Sequence, residues 1–132
     1  MIRYLNRSPG PFGPYSSVVI YRDLIFVSGQ IPVDENGEVV GATPGEQIYR
    51  ALQQLYEAAG WPDADVGCLS IRVYAVNLYE VATEINQAYQ NFHEKNQLPL
   101  PARELVGVNA LPKGALIEVA GIFAKNYYWE ER

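Results

Sequence analysis

The segment Leu111-Pro112-Lys113-Gly114-Ala115-Leu116-Ile117-Glu118-Val119-Ala120-Gly121-Ile122 opens with a Pro/Gly turn and continues as a strand-like run, residues 115–124, with apolar side chains on both faces. A strand of that kind belongs in a sheet buried on both sides. Upstream, residues 103–110 form a second strand-like run. Before it, Leu69, Ile71, Val73 and Ala75 alternate with Cys68, Ser70, Arg72 and Tyr74, the period of two that marks a strand. Residues 18–21 and 24–28, joined around Arg22-Asp23, read as a β-hairpin.

Two helices separate these strands. Thr43-Pro44-Gly45-Glu46 supplies an N-cap, a proline at the first helical position and a capping-box glutamate. Ile48, Ala51, Leu52, Leu55 and Ala59 then follow at helical spacing until Gly60 and Pro62. Asn77 to Glu80 repeat the capping pattern ahead of a second helix with Val81, Ile85, Ala88 or Tyr89, and Phe92 on one face. That helix ends in the polar stretch His93 to Gln97, before Pro99 and Pro101. The order is ββαβαββ, an α+β chain with a mixed sheet and both helices on one face. With no third helix to cover the other face, self-association is the simplest remedy. The chain reads as one domain, residues 1–132, with 126–132 as an aromatic and charged extension.

A net charge of −5 and scattered lysines and arginines argue against nucleic acid, whose binding rests on neutralised phosphates. No apolar run is long enough to span a membrane, and the first residues lack a secretory pattern. The single cysteine, Cys68, forms no internal disulfide and fits a cytoplasmic location. One histidine and one cysteine 25 positions apart cannot build a metal site, and neither GxGxxG nor GxxxxGK occurs, so no metal, nucleotide or other cofactor is expected. His93 reads as a surface residue at a fraying helix end, which leaves Ser16, Ser17 and Ser28 without a base for Ser/His/Asp chemistry. Cys68 reads as an inert packed thiol.

Glu118 interrupts an apolar strand and shares a face with Leu116, Ala120 and Ile122. It is either a buried carboxylate with a partner or a raised pKa, or an edge-strand glutamate facing water. Arg103 heads the preceding strand, and a hairpin between the two strands would bring both side chains toward one region. Its guanidinium suits a carboxylate ligand, and it reads equally well as an ordinary ion-pair arginine. Gly13-Pro14-Tyr15-Ser16 and Ser28-Gly29-Gln30 flank the first hairpin, their glycines serving either close ligand approach or simple turns and bulges.

These pieces occur together and in order. With Phe26-Val27-Ser28-Gly29-Gln30-Ile31-Pro32, Gln47, Ala58-Ala59-Gly60, Asn86 with Tyr89 and Phe92, Pro101-Ala102-Arg103 and Leu111 to Glu118, the sequence closely resembles the RidA (YjgF) family over nearly its whole length. The resemblance implies a chorismate-mutase-like fold and a homotrimer whose sheets close into a central barrel, with three pockets at subunit interfaces. It implies hydrolytic deamination of 2-imino acids and enamines, such as 2-iminopropanoate from 2-aminoacrylate, to 2-oxo acids and ammonia without a cofactor. By matching position, Arg103 grips the substrate carboxylate and Glu118 activates water. Tyr15 and Ser28 line the pocket, the Gly29 backbone lies close to the ligand, and Asn86 gives support. Leu105 stands where many deaminating relatives carry cysteine, which puts the accepted side chain in question, and Ala120 stands where some have a second glutamate. A non-catalytic ligand-binding or regulatory trimer of the same family is the alternative reading.

Overall fold

The computed structural model describes residues 1–7 and 10–126; the aromatic extension from residue 127 onward lies outside them. In chain order the elements are β1 (Ile2–Leu5), β2 (Val18–Tyr21), β3 (Leu24–Gln30), α1 (Pro44–Ala59), β4 (Val66–Val76), α2 (Leu78–Lys95), β5 (Ala102–Val108) and β6 (Ile117–Lys125). The strands form one six-stranded sheet in the order β1-β2-β3-β6-β4-β5. Only β4 and β5 run parallel, joined across α2, so the sheet is mixed as expected. β1 is an addition to the expected order. Its residues Ile2-Arg3-Tyr4-Leu5 are too few and too exposed to announce a strand, and antiparallel pairing with β2 creates it.

Helix α1 begins as its sequence dictates. Thr43 Oγ1 accepts the Glu46 N–H at 3.1 Å, Glu46 reaches back to the Ala42 N–H, and Gly60 closes the helix in the left-handed region at φ 113°. The start of α2 differs from expectation. Asn77 itself takes the left-handed conformation, which asparagine tolerates, and its side chain caps nothing.

α1 packs over β3 and β6 and against α2, which reaches β5. Ile48, Leu52, Leu55, Ile71, Val73, Ile85, Phe92, Ile117 and Phe123 form the core between helices and sheet. Along β4, Ile71, Val73 and Ala75 are wholly buried, yet Leu69 is 49% exposed. A register shift between Cys68 and Ser70 breaks the alternation that the sequence extends through Leu69. The other sheet face carries Tyr4, Tyr21, Leu24, Phe26 and Val106, all exposed. Among the described residues nothing covers it.

His93 corrects the sequence reading most sharply, because it is 1% exposed rather than on the surface. α2 continues to Lys95, so His93 falls four residues after Tyr89 and eight after Ile85, on the apolar stripe. One ring nitrogen lies 2.8 Å from the Tyr56 hydroxyl and the other 2.8 Å from the Tyr89 carbonyl. The neutral ring satisfies both contacts by donating from Nδ1 to that carbonyl and accepting from the hydroxyl. Burial holds the His93 pKa below the ordinary imidazole range.

Gln47 fixes the entrance to β6. It is 4% exposed, donates to the Gly41 carbonyl at 3.0 Å and accepts the Leu116 N–H at 2.8 Å, two residues ahead of Glu118. Gln47→Ala leaves both backbone groups without that partner and is expected to cost about 2 to 3 kcal/mol in urea denaturation; an unchanged midpoint contradicts the pinning role. The depressed His93 pKa has its own consequence. Its contribution is fully present above the unfolded value of ~6.5 and is lost as pH falls through the lower folded value. Stability should therefore fall faster below about pH 6.5 in the parent than in His93→Gln, and parallel pH profiles for the two proteins would refute it.

Candidate functional site

The two residues expected to share a site are kept apart by the sheet. β5 and β6 form no hairpin, because β4 lies between them. On β4, Arg103 is opposite Ile71 and Glu118 is opposite Tyr74. Two strand spacings across and three residues along place their Cα atoms roughly 14 Å apart. Cross-strand partners share a face, so Arg103 lies with Ile71 on the helix side and Glu118 with Tyr74 on the open side. The expected juxtaposition through a hairpin does not occur in one chain.

Glu118 sits in a recess of about 160 Å3 lined by Phe12, Tyr15, Gly29, Ile31 and Pro112. The β3–β6 register shifts between Val27 and Gln30, so Ser28 and Gly29 form an irregularity at this point. A Cβ on Gly29 would overlap the Glu118 carboxylate and lie 2.9 Å from its carboxyl carbon, so a larger residue there would have to displace that carboxylate. Half-burial among these largely apolar walls raises the Glu118 pKa above the usual carboxylate range. Glu118 thus stands half-buried on a strand flanked on both sides rather than at a sheet edge.

Tyr15 is half-exposed, and its hydroxyl accepts the Phe12 N–H at 3.2 Å; among the described residues its own hydrogen has no acceptor. The Ser28 hydroxyl donates to the Ser16 carbonyl at 2.6 Å and so ties the two loop segments together. Phe12 was not singled out by the sequence; Lys113 Nζ stands 4.6 Å from its ring centroid and donates to the Gly37 carbonyl at 2.8 Å. Pro112 was visible only as part of a turn.

Arg103 lines a second recess, of about 300 Å3, with Asn86, Tyr89, Gln90, Leu100 and Pro101. Its guanidinium carbon is 4.8 Å from the centroid of the Tyr89 ring. Asn86, exposed on α2, lines this recess and not the one that holds Tyr15, Gly29 and Glu118. Leu105 shares this face with Val73 and packs against the core. Cys68 has its thiol pushed up to about 12 by burial, so it is not a thiolate at neutral pH.

A larger hollow of about 320 Å3, lined among others by Arg7, Ser17, Gln30, Asp34, Arg50, Gln54 and Glu57, contains none of the predicted site residues. Arg50 there spends Nε and Nη2 on the Val33 carbonyl, and Arg7 spends Nε on that of Ala58. These arginines tie loops to α1.

The sequence signature described as Endoribonuclease L-PSP matches residues 5–125. The RutC family protein y4sK of Sinorhizobium fredii is 36% identical over 121 residues, spanning 90% of this chain and 93% of its own. An Escherichia coli K12 protein called "Putative reactive intermediate deaminase TdcF" is 32% identical over 124 residues, covering 92% and 94%. The crystal structure of E. coli TdcF with bound serine superposes with a TM-score of 0.80 at 29% identity, over 94% of this chain and all of that one. The E. coli YjgF gene product gives 0.79 at 30% identity, over 94% and 99%. A signature over nearly the whole chain, relatives of matching length and a shared α+β fold place this protein in the RidA (YjgF) family.

Proposed function

We propose that this protein hydrolyses 2-imino acids, formed by tautomerisation of enamines such as 2-aminoacrylate, to 2-oxo acids and ammonia. The observation that carries the reading is the Glu118 carboxylate, seated over Gly29 in an apolar recess with its pKa raised. A raised pKa makes a carboxylate a stronger proton acceptor than a solvated one. It takes a proton from water as the oxygen attacks the protonated imine carbon. The resulting tetrahedral carbinolamine receives that proton on nitrogen, and as its C–N bond breaks to release ammonia the freed Glu118 carboxylate takes the hydroxyl proton, leaving the C=O of the oxo acid. Arg103 grips the substrate carboxylate bidentately, Tyr15 and Ser28 shape the pocket, and Asn86 supports the arginine side. The reaction needs an anchored substrate, a positioned water and a proton relay, and so runs without metal or organic cofactor.

Because Arg103 and Glu118 lie on opposite sheet faces, one pocket uses both only if they come from different copies of the chain. The uncovered face bearing Tyr4, Tyr21, Leu24, Phe26 and Val106 supports the same conclusion. The protein is a homotrimer with three interfacial pockets. A ligand-binding trimer without catalysis is the second reading, favoured by the serine held in TdcF. Ribonuclease chemistry, despite the signature's description, has little support: the charge is −5 and the one histidine is 1% exposed.

Sedimentation at micromolar concentration should give about three times 14.8 kDa; a clean monomer would contradict the interfacial site. In an assay that generates 2-aminoacrylate in situ, Arg103→Ala should lose roughly 30- to 1000-fold in kcat/KM, with poor rescue by lysine. Glu118→Gln keeps shape but cannot accept the proton, so kcat should collapse while pyruvate affinity is retained. A parent-like rate in Glu118→Gln would refute its role as proton acceptor, and no acceleration by the parent itself would favour the non-catalytic reading.

A further inference from the structure

The Arg103 recess poses a problem of its own. Arg103 is exposed on the edge strand β5, where a long side chain samples many rotamers. An ion pair would hold it still but would consume the donors a substrate carboxylate needs. Other arginines show that expenditure: Arg50 bonds the Val33 carbonyl through two nitrogens, Arg7 the Ala58 carbonyl, and Arg72 the Tyr74 hydroxyl.

Arg103 is held differently. Among the described residues its anchor is the face of the Tyr89 ring, 4.8 Å from ring centroid to guanidinium carbon. A cation over an aromatic face is attracted to the ring quadrupole without any N–H being used. Tyr89 is itself packed into the core. It is 5% exposed, its ring packs against His93 with centroids 4.5 Å apart, and its carbonyl lies 2.8 Å from His93 Nδ1. Its hydroxyl is buried with no hydrogen-bond partner among the described residues, so the phenol oxygen is not what the fold uses.

We infer that Tyr89 is a positioning residue for substrate binding, whose aromatic face fixes the Arg103 guanidinium and keeps its N–H fork free for the substrate carboxylate. The inference rests on the proposed deaminase reading and adds a residue that touches no reacting atom. His93 completes the support, because it holds the ring that holds the arginine.

The test measures KM and kcat for imine hydrolysis, and Kd for pyruvate, in five proteins: the parent, Tyr89→Leu, Tyr89→Phe, Arg103→Ala and the double variant Tyr89→Leu/Arg103→Ala. Tyr89→Leu removes the π face and should raise KM and the pyruvate Kd roughly 3- to 30-fold with kcat within about twofold. Tyr89→Phe keeps the face and should restore both, with thermal stability equal to or above the parent's because the partnerless hydroxyl is gone. If the leucine variant does not fold, Tyr89→Met fills the space without a π face and carries the same expectation. In the double variant Tyr89→Leu/Arg103→Ala, the tyrosine change should add nothing to the loss from Arg103→Ala. Parent-like KM and Kd in folded Tyr89→Leu, or equal losses in the phenylalanine and leucine variants, would overturn the inference and leave the deaminase reading standing. Unchanged pyruvate binding in Arg103→Ala would remove the carboxylate anchor itself, and this inference with it.

Discussion

β4 lies between β5 and β6, and the arrangement of the rest of the molecule follows from that insertion. The parallel β4–α2–β5 unit requires a crossover, which places α2 over the sheet and β5 at its edge. β6 is then flanked by β3 and β4, becomes the centre of the sheet, and carries apolar residues toward the helices at Ile117, Val119 and Phe123. The same insertion puts Arg103 at an exposed edge and Glu118 on the face without helices. Among the described residues such a chain presents two separate recesses and an uncovered apolar surface, and in the proposed homotrimer a second copy would complete the first and cover the second.

The Glu118 half-site shows how a central strand tolerates a carboxylate. Burying a charge costs several kcal/mol unless it is paired or neutralised. Here the side chain lies against a glycine backbone in a recess that keeps it half-exposed, and the cost appears as a raised pKa. The β3 irregularity at Ser28-Gly29 and the Gln47 bridge to Leu116 position the recess from either side. Arg103 is served by an equally indirect support through Tyr89 and His93.

Much of this was legible in the sequence because local rules agree with the global fold. Thr43, Pro44 and Glu46 announce α1 by capping chemistry, and the parity of Ile71, Val73 and Ala75 identifies the buried face of β4. Glu118 stood out as a carboxylate in an apolar strand. What stayed hidden depends on pairing rather than on periodicity. β1 exists because β2 offers it an edge, and no local signal places β4 between β5 and β6, so adjacent strands suggested a hairpin. His93 was misplaced because its polar neighbours outweighed its spacing from Ile85 and Tyr89. Phe12 and Tyr89 were hidden as site components because an aromatic side chain in a sequence does not reveal which cation it faces.

The central claim is that Arg103 and Glu118 act together only across two copies of the chain. The direct test is to coexpress Arg103→Ala with Glu118→Gln, each inactive alone, and to purify the mixed oligomers. With equal and random mixing, about a quarter of the interfaces pair an intact Arg103 with an intact Glu118. The account predicts that deaminase activity returns to about that fraction of the parent's and appears only when the subunits mix. Mixed oligomers as inactive as the separate variants would contradict it.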